Sequence, residues 1–218
     1  MPTKLRQKTK KLFYKSYPFK VATLVKGGSL LKFWSIDYAL SSAYLSSQSK
    51  DNLERVAKVI LPYKAQGGKL RFEGDCITFF LKDRTQYETI HKELEEFIIG
   101  SWEPASDDET NMLLANNKLV IVDNLPFNTY THKVIFKSLP RDKRSNLLLW
   151  LEKYPSGDIK ISKSTLSYLN NDRYWKQDPF VLIKDPKMAT MMSLIVGDHI
   201  RRIEQYVLRS SINTRSQD

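Results

Sequence analysis

Three short stretches of this chain recur in the same order, and that repetition limits the available folds more than any other feature. Tyr17-Pro18-Phe19-Lys20-Val21 returns as Tyr130-Thr131-His132-Lys133-Val134, each opening an alternating, strand-like segment. Phe79-Phe80-Leu81-Lys82-Asp83 returns as Val181-Leu182-Ile183-Lys184-Asp185, each followed by a helical pattern. Ile98-Ile99-Gly100 and Ile195-Val196-Gly197 then read as the closing residues of those helices. Matches in one order point to a duplicated unit, and 218 residues are enough for two domains of about 100 each.

Hydrophobic periodicity fills in the first unit, expected over 12–122. A strand near 12–25 places Phe13, Tyr17, Phe19, Val21 and Val25 on one face. The Ser-rich stretch 41–49 carries no clear pattern. A helix over Asp51–Leu61 buries Leu53, Val56 and Ile60, and Pro62 is expected to end it. Gly67-Gly68 marks a turn, and Gly74-Asp75 joins two strands as a hairpin. Thr85 and Glu88 read as a capping box for a helix whose face holds Tyr87, Ile90, Leu94 and Phe97. Residues 117–122 supply a fourth strand or else the link between units.

The second unit, expected over 123–218, repeats the order. A strand over 132–138 leads to a helix over 141–154 with Leu147, Trp150, Leu151 and Tyr154 facing inward. Strands are expected at 158–169 and 180–184, with the polar segment 170–178 as a loop between them. Asp185-Pro186 starts a helix that Gly197 stops, and 199–208 reads as a last strand, or else a second helix, before a frayed tail. Strand, helix, hairpin, helix, strand is the ferredoxin-like order, so the expected fold is α+β: two such β-α-β-β-α-β units in tandem.

With that order the chain resembles a tandem of RRM-like modules. Its overall pattern also resembles uncharacterised proteins encoded by marine bacteriophages, which implies a viral protein acting inside an infected cell. The third-strand string of RRMs, Lys/Arg-Gly-Phe/Tyr, is not matched by Asp75–Asp83, so the usual stacking residues do not carry over.

Charge narrows the partners. Net charge is +11, and residues 1–20 hold Lys4, Arg6, Lys8, Lys10, Lys11, Lys15 and Lys20 with no acid. Residues 1–11 are therefore expected as a basic arm, attractive to polyanions. Residues 93–109 are the opposite, with Glu93, Glu95, Glu96, Glu103, Asp107, Asp108 and Glu109 and no cation; they read as a solvated helix end and linker. Cys76 stands alone, which excludes an intrachain disulfide and fits a reducing, cytoplasmic setting. Apolar runs are too short for a membrane span and no signal peptide is expected, so no membrane partner is either.

Strand parity nominates a binding surface. If Phe13, Phe19 and Val21 face the helices, then Tyr14, Lys20, Arg71, Phe80 and Lys82 face the open side, as do Lys133, Lys137, Lys160, Leu182 and Lys184. Aromatic rings among cations suit single-stranded nucleic acid, where bases stack and phosphates pair. Alternatively the open faces of the two sheets pack together and bury Phe80 and Leu182. Binding would then fall to the arm (Lys4, Arg6, Lys8, Lys10, Lys11) and to Arg173 and Trp175 in the second-unit loop.

Enzyme chemistry finds no support. His91, His132 and His199 show no HxH or HExxH spacing, so no metal site is expected, and a rolling-circle nickase lacks its histidine pair. Neither GxGxxG nor GxxxxGKS occurs, so no phosphate-cradling loop and no cofactor is expected. Asp83 and Asp185 are explained as helix caps. The expectation is a non-catalytic nucleic-acid-binding protein, such as a viral replication, packaging or regulatory factor. The alternative is a protein-interaction or structural component, of a virion or of host takeover, with homo-oligomers formed through the open sheets.

Overall fold

A computed structural model of the protein describes residues 4–32, 35–154, 157–170 and 178–213. The chain divides into two compact units, Met1–Asn117 and Lys118–Asp218. Among the described residues the class is α+β, with two five-stranded sheets and eight α-helices.

The first unit runs β1 (Leu5–Lys8), β2 (Phe19–Leu24), α1 (Ile36–Ser41), α2 (Ser47–Ala65), β3 (Lys69–Glu73), β4 (Cys76–Leu81), α3 (Arg84–Glu93), β5 (Ile98–Glu103) and α4 (Asp107–Ala115). The second runs β6 (Leu119–Val122), β7 (His132–Phe136), α5 (Arg141–Leu151), β8 (Ile159–Ile161), α6 (Lys163–Asn170), β9 (Phe180–Ile183), α7 (Lys187–Val196), β10 (Ile200–Leu208) and α8 (Arg209–Asn213). Their sheets have the same plan. Strand order is β1-β5-β2-β4-β3 in one and β6-β10-β7-β9-β8 in the other. In each, the first strand lies parallel to the last and every other pairing is antiparallel.

Equivalent residues meet in both sheets. Lys20 pairs with Phe80 and Lys133 with Leu182, while Lys69 of β3 and Lys160 of β8 flank those partners from the other side. A register shift interrupts the β2–β5 ladder between Ala22 and Thr23, and the β7–β10 ladder between Ile200 and Arg202. The first two sequence matches thus fall on equivalent positions. The third does not, because Ile98–Gly100 lies in β5 whereas Ile195–Gly197 ends α7.

Each helical layer packs on one sheet face. In the first unit Phe19, Val21, Ile77, Phe79 and Leu81 meet Leu53, Val56 and Ile60 of α2 and Tyr87 and Ile90 of α3. Val134, Phe136, Val181 and Ile183 meet Leu147, Leu151, Met188 and Met192 in the second. Burying such side chains contributes about 1.5–3 kcal/mol each, so this alternation sets which face is covered.

Several local expectations change. Residues 5–8 of the expected basic arm form β1, at the sheet edge, because β5 offers them an unpaired backbone. β6 opens the second unit rather than closing the first, so the division falls a few residues before the expected boundary. Residues 12–17 are a tight turn, with β2 starting only at Phe19. α2 begins in the Ser-rich stretch, capped by Ser46, and runs through Pro62. Only one turn follows that proline, so the lost N–H costs little of the helix. α3 is capped by Asp83, which accepts from the Gln86 N–H at 2.8 Å while Gln86 Oε1 accepts from the Lys82 N–H; the cap lies two residues before the expected one. Residues 163–170 are helix, not strand, because Thr165, Tyr168 and Leu169 bury one helical face. The acidic block spans the end of α3, β5 and the first turn of α4, where Asp107, Asp108 and Glu109 suit the positive helix N-terminus.

Gly68 has a steric role. A Cβ there would lie 2.3 Å from the Tyr63 ring. That ring is held by its hydroxyl, which donates to the Phe80 carbonyl at 2.5 Å, and burial pushes the hydroxyl up to about 12, keeping it a donor. Gly68→Ala is expected to destabilise the protein by about 1–3 kcal/mol in urea denaturation. A loss below about 0.5 kcal/mol would show that Tyr63 swings aside freely.

Candidate functional site

Alternation along β2, β4 and β5 puts Lys20, Phe80, Gly100 and Trp102 on the sheet face away from the helices. Trp102 and Gly100 are two residues apart on one strand, and a Cβ on Gly100 would come within 2.8 Å of the indole. Glycine therefore lets the indole lie flat along the sheet. Its Nε1–H donates to Gln7 Oε1 of β1 at 2.5 Å. The Lys20 ammonium sits 3.2 Å from the Trp102 ring centroid and 4.9 Å from that of Phe13. Burial, reinforced by nearby Arg71, holds this ammonium below the usual lysine range.

The turn over 12–17 folds onto the same face. Phe13, Tyr14 and Tyr17 ring centroids lie 5.9, 4.8 and 6.3 Å from that of Phe80. This overturns the expected exposure of Phe80, which is only 4% accessible. The physical reason is that residues 12–17 do not continue the strand, so Phe13 and Tyr17 escape strand parity and cover Phe80. Tyr14 keeps 54% of its surface, and Lys69 Nζ stands 4.9 Å from its ring centroid. Arg71 is exposed beside them on β3, where it also pairs with Glu73. The result is a half-covered aromatic platform of Trp102, Phe13 and Tyr14, with Lys20, Lys69 and Arg71 at its rim.

The second unit builds a different surface on the equivalent face. Lys133 Nζ lies 3.9 Å from the Phe180 centroid, and Lys160 Nζ 4.9 Å from that of Phe127. Leu182, expected to be exposed, is 6% accessible, flanked in register by Lys133 and Lys160. Where the first unit has Trp102 opposite its lysine, the second has Glu204, buried and paired with Arg202 at 2.8 Å.

The remaining nominated residues scatter. Lys4 pairs with Glu95 at 3.7 Å and Arg6 with Glu103 at 2.7 Å, so two cations of the expected arm meet the acidic block. Lys8, Lys10 and Lys11 are exposed along and just after β1. Lys82 and Lys184 are exposed where β4 and β9 end, and Lys137 where β7 ends; among the described residues none of them stands over an aromatic ring. Arg173 and Trp175 lie outside the described residues. Trp102 was missed by sequence reasoning, because 98–103 read as a helix end. The Gly100-x-Trp102 spacing is the signal that would have found it.

His132, Asp83 and Asp185, which lie outside the platform, have local partners. His132 Nδ1 lies 2.9 Å from Thr131 Oγ1, which already donates to the Lys184 carbonyl, so Nδ1 carries the proton. Burial, opposed by Asp185, keeps this imidazole below its usual range. Asp185 accepts from the Lys187 N–H and Asp83 from that of Gln86, both as helix-start caps. Among the described residues no group of three or more His, Cys, Asp or Glu has metal-binding geometry, and no helix is long and apolar enough to cross a membrane. No family model, curated protein or solved structure matches this chain.

Proposed function

We propose that the protein binds single-stranded nucleic acid without catalysing a reaction, through the platform of its first unit. The observation that carries this reading is the half-covered set of Trp102, Phe13 and Tyr14 rimmed by Lys20, Lys69 and Arg71. Unpaired bases stack on such rings and the rim cations meet the phosphates. We also read each unit as ferredoxin-like with one added edge strand. The strand order β5-β2-β4-β3, repeated as β10-β7-β9-β8, supports that reading, as does the parallel strand outside each core. The platform side is then the side RRM-like modules use. With the resemblance to phage-encoded proteins, the chain becomes a candidate viral replication, packaging or regulatory factor.

Fluorescence anisotropy with a labelled single strand of about 20 nucleotides tests the reading. With roughly three phosphates neutralised, affinity falls about 100-fold between about 50 and about 500 mM salt. Binding that ignores salt over that range, or no binding at all, contradicts it.

A second reading, a protein-interaction component, is favoured by one observation. Leu149, Met191 and Leu194 are exposed on α5 and α7 of the second unit, Leu194 by 83%. Light scattering on the purified chain separates the two: a stable oligomer free of nucleic acid supports this second reading.

A further inference from the structure

The connection between the first two strands is built the same way in both units, although its sequence is only loosely repeated. Tyr14-Lys15-Ser16-Tyr17 and Phe127-Asn128-Thr129-Tyr130 share an aromatic residue, a polar one, a hydroxyl residue and a tyrosine. In the first unit the Ser16 and Tyr17 N–H groups donate to the Phe13 carbonyl at 3.1 and 3.0 Å. In the second the Thr129 and Tyr130 N–H groups donate to the Pro126 carbonyl, each at 3.2 Å. Both central residues have positive φ in each case: 49° and 63° for Tyr14 and Lys15, 52° and 57° for Phe127 and Asn128. These four are the only non-glycine residues with positive φ among the described residues.

That geometry is the one Asn-Gly or Gly-Gly adopts without strain, and a bulky aromatic at its first central position is disfavoured. Strain kept twice at one place, where glycine would relieve it, means the side chain is needed there. Packing accounts for part of this at Tyr14, whose ring meets Phe80 at 4.8 Å between centroids, and for little at Phe127, which stands edge-to-face with Tyr130 at 6.2 Å. Even so, Tyr14 is 54% exposed and Phe127 67%. Each ring carries a lysine from the equivalent strand of its own unit: Lys69 Nζ at 4.9 Å from Tyr14 and Lys160 Nζ at 4.9 Å from Phe127.

We propose that each of these strained turns holds a nucleobase-stacking site, so that Phe127 with Lys160 forms a second site equivalent to Tyr14 with Lys69. This inference rests on the nucleic-acid reading above and extends it to the second unit. An unpaired base stacks on the exposed ring, and the lysine moves from the ring to the adjacent phosphate. Each turn takes one base, and any base serves, because every base offers a π-face. Sequence parity pointed to Tyr14 but passed over Phe127, which precedes its strand.

The test uses the full chain and a single-stranded hexanucleotide carrying 2-aminopurine, whose emission is quenched on stacking. The expected result is two hexanucleotides per wild-type chain, with Phe127→Gly losing one of them through a drop of at least about fivefold in its affinity. Tm should hold or rise for Phe127→Gly, because glycine accepts the positive φ. Phe127→Leu keeps apolar bulk and is expected to lose the same quenching, whereas Phe127→Tyr restores it. If the wild type binds but Phe127→Gly and Phe127→Leu bind like it, the second site is refuted and the first-unit platform stands. If the wild type binds no hexanucleotide or longer single strand, the nucleic-acid reading itself fails. A lowered Tm in Phe127→Leu with unchanged quenching would make the ring a packing residue and overturn the proposal.

Discussion

Phe80→Ala is expected to destabilise the protein by about 3–5 kcal/mol, the usual result of emptying a buried aromatic position. Phe80 is 4% accessible although it points away from the helices, because Phe13, Tyr14 and Tyr17 close over it. Alanine would remove the floor under that turn, which Phe13, Tyr14 and Tyr17 now cover. Urea denaturation followed by tryptophan emission measures the loss. Phe80→Leu keeps most of the volume and should cost less than about 1.5 kcal/mol. Were Phe80 an exposed stacking residue, as strand parity alone suggests, alanine would cost under about 1 kcal/mol and affect only ligand binding. The same substitution should weaken oligonucleotide binding too, since Tyr14 loses its edge contact 4.8 Å away.

Trp102→Ala should lower affinity for a single-stranded oligonucleotide by about 5- to 100-fold, corresponding to about 1–3 kcal/mol per stacked base. The indole is the largest ring of the platform, held flat by the absent side chain of Gly100 and by its bond to Gln7. No phosphate contact is removed, so the slope of log affinity against log salt should be unchanged. Lys69→Ala, by contrast, should reduce that slope and affect different base sequences alike. Trp102→Phe retains a stacking face and most of the affinity. Trp102→Ala also releases the edge strand β1 from one hydrogen bond, with an expected stability loss of about 1 kcal/mol. Affinity that survives Trp102→Ala unchanged would move the site off this face of the sheet.

Charge pairing bears on where the expected basic arm docks as a strand. Residues 1–20 and 93–109 are strongly basic and strongly acidic; residues 1–11 read as a basic arm and 93–109 as a solvated helix end and linker. In the fold β1 lies parallel to β5, and the pairs Lys4–Glu95 and Arg6–Glu103 join the two blocks. Glu103 also receives Arg84 at 3.5 Å, which reaches Asp107 at 3.1 Å. Exposed pairs of this kind contribute only about 0–1 kcal/mol each. Their effect is on placement: complementary sign selects the edge that β1 joins, while the backbone hydrogen bonds hold it there. Lys4 and Arg6 are therefore already paired, while Lys8, Lys10 and Lys11 stay exposed for an anionic partner.

Local pattern alone determined the repeat, the hairpin at Gly74-Asp75, the helices that follow Asp83 and Asp185, and the faces of β2, β4, β7 and β9 turned to the helices. These follow from side-chain periodicity and caps, which act between residues near in sequence. Tertiary structure decided the rest. Whether 98–103 was a helix end or a strand depended on β2 and β1 being there to pair with it, and Trp102 could not be recognised without that pairing. Whether Phe80 was exposed depended on a turn some sixty residues away folding back across the sheet. The two-copy architecture was thus written in local periodicity, while the platform arose only when distant strands met in register.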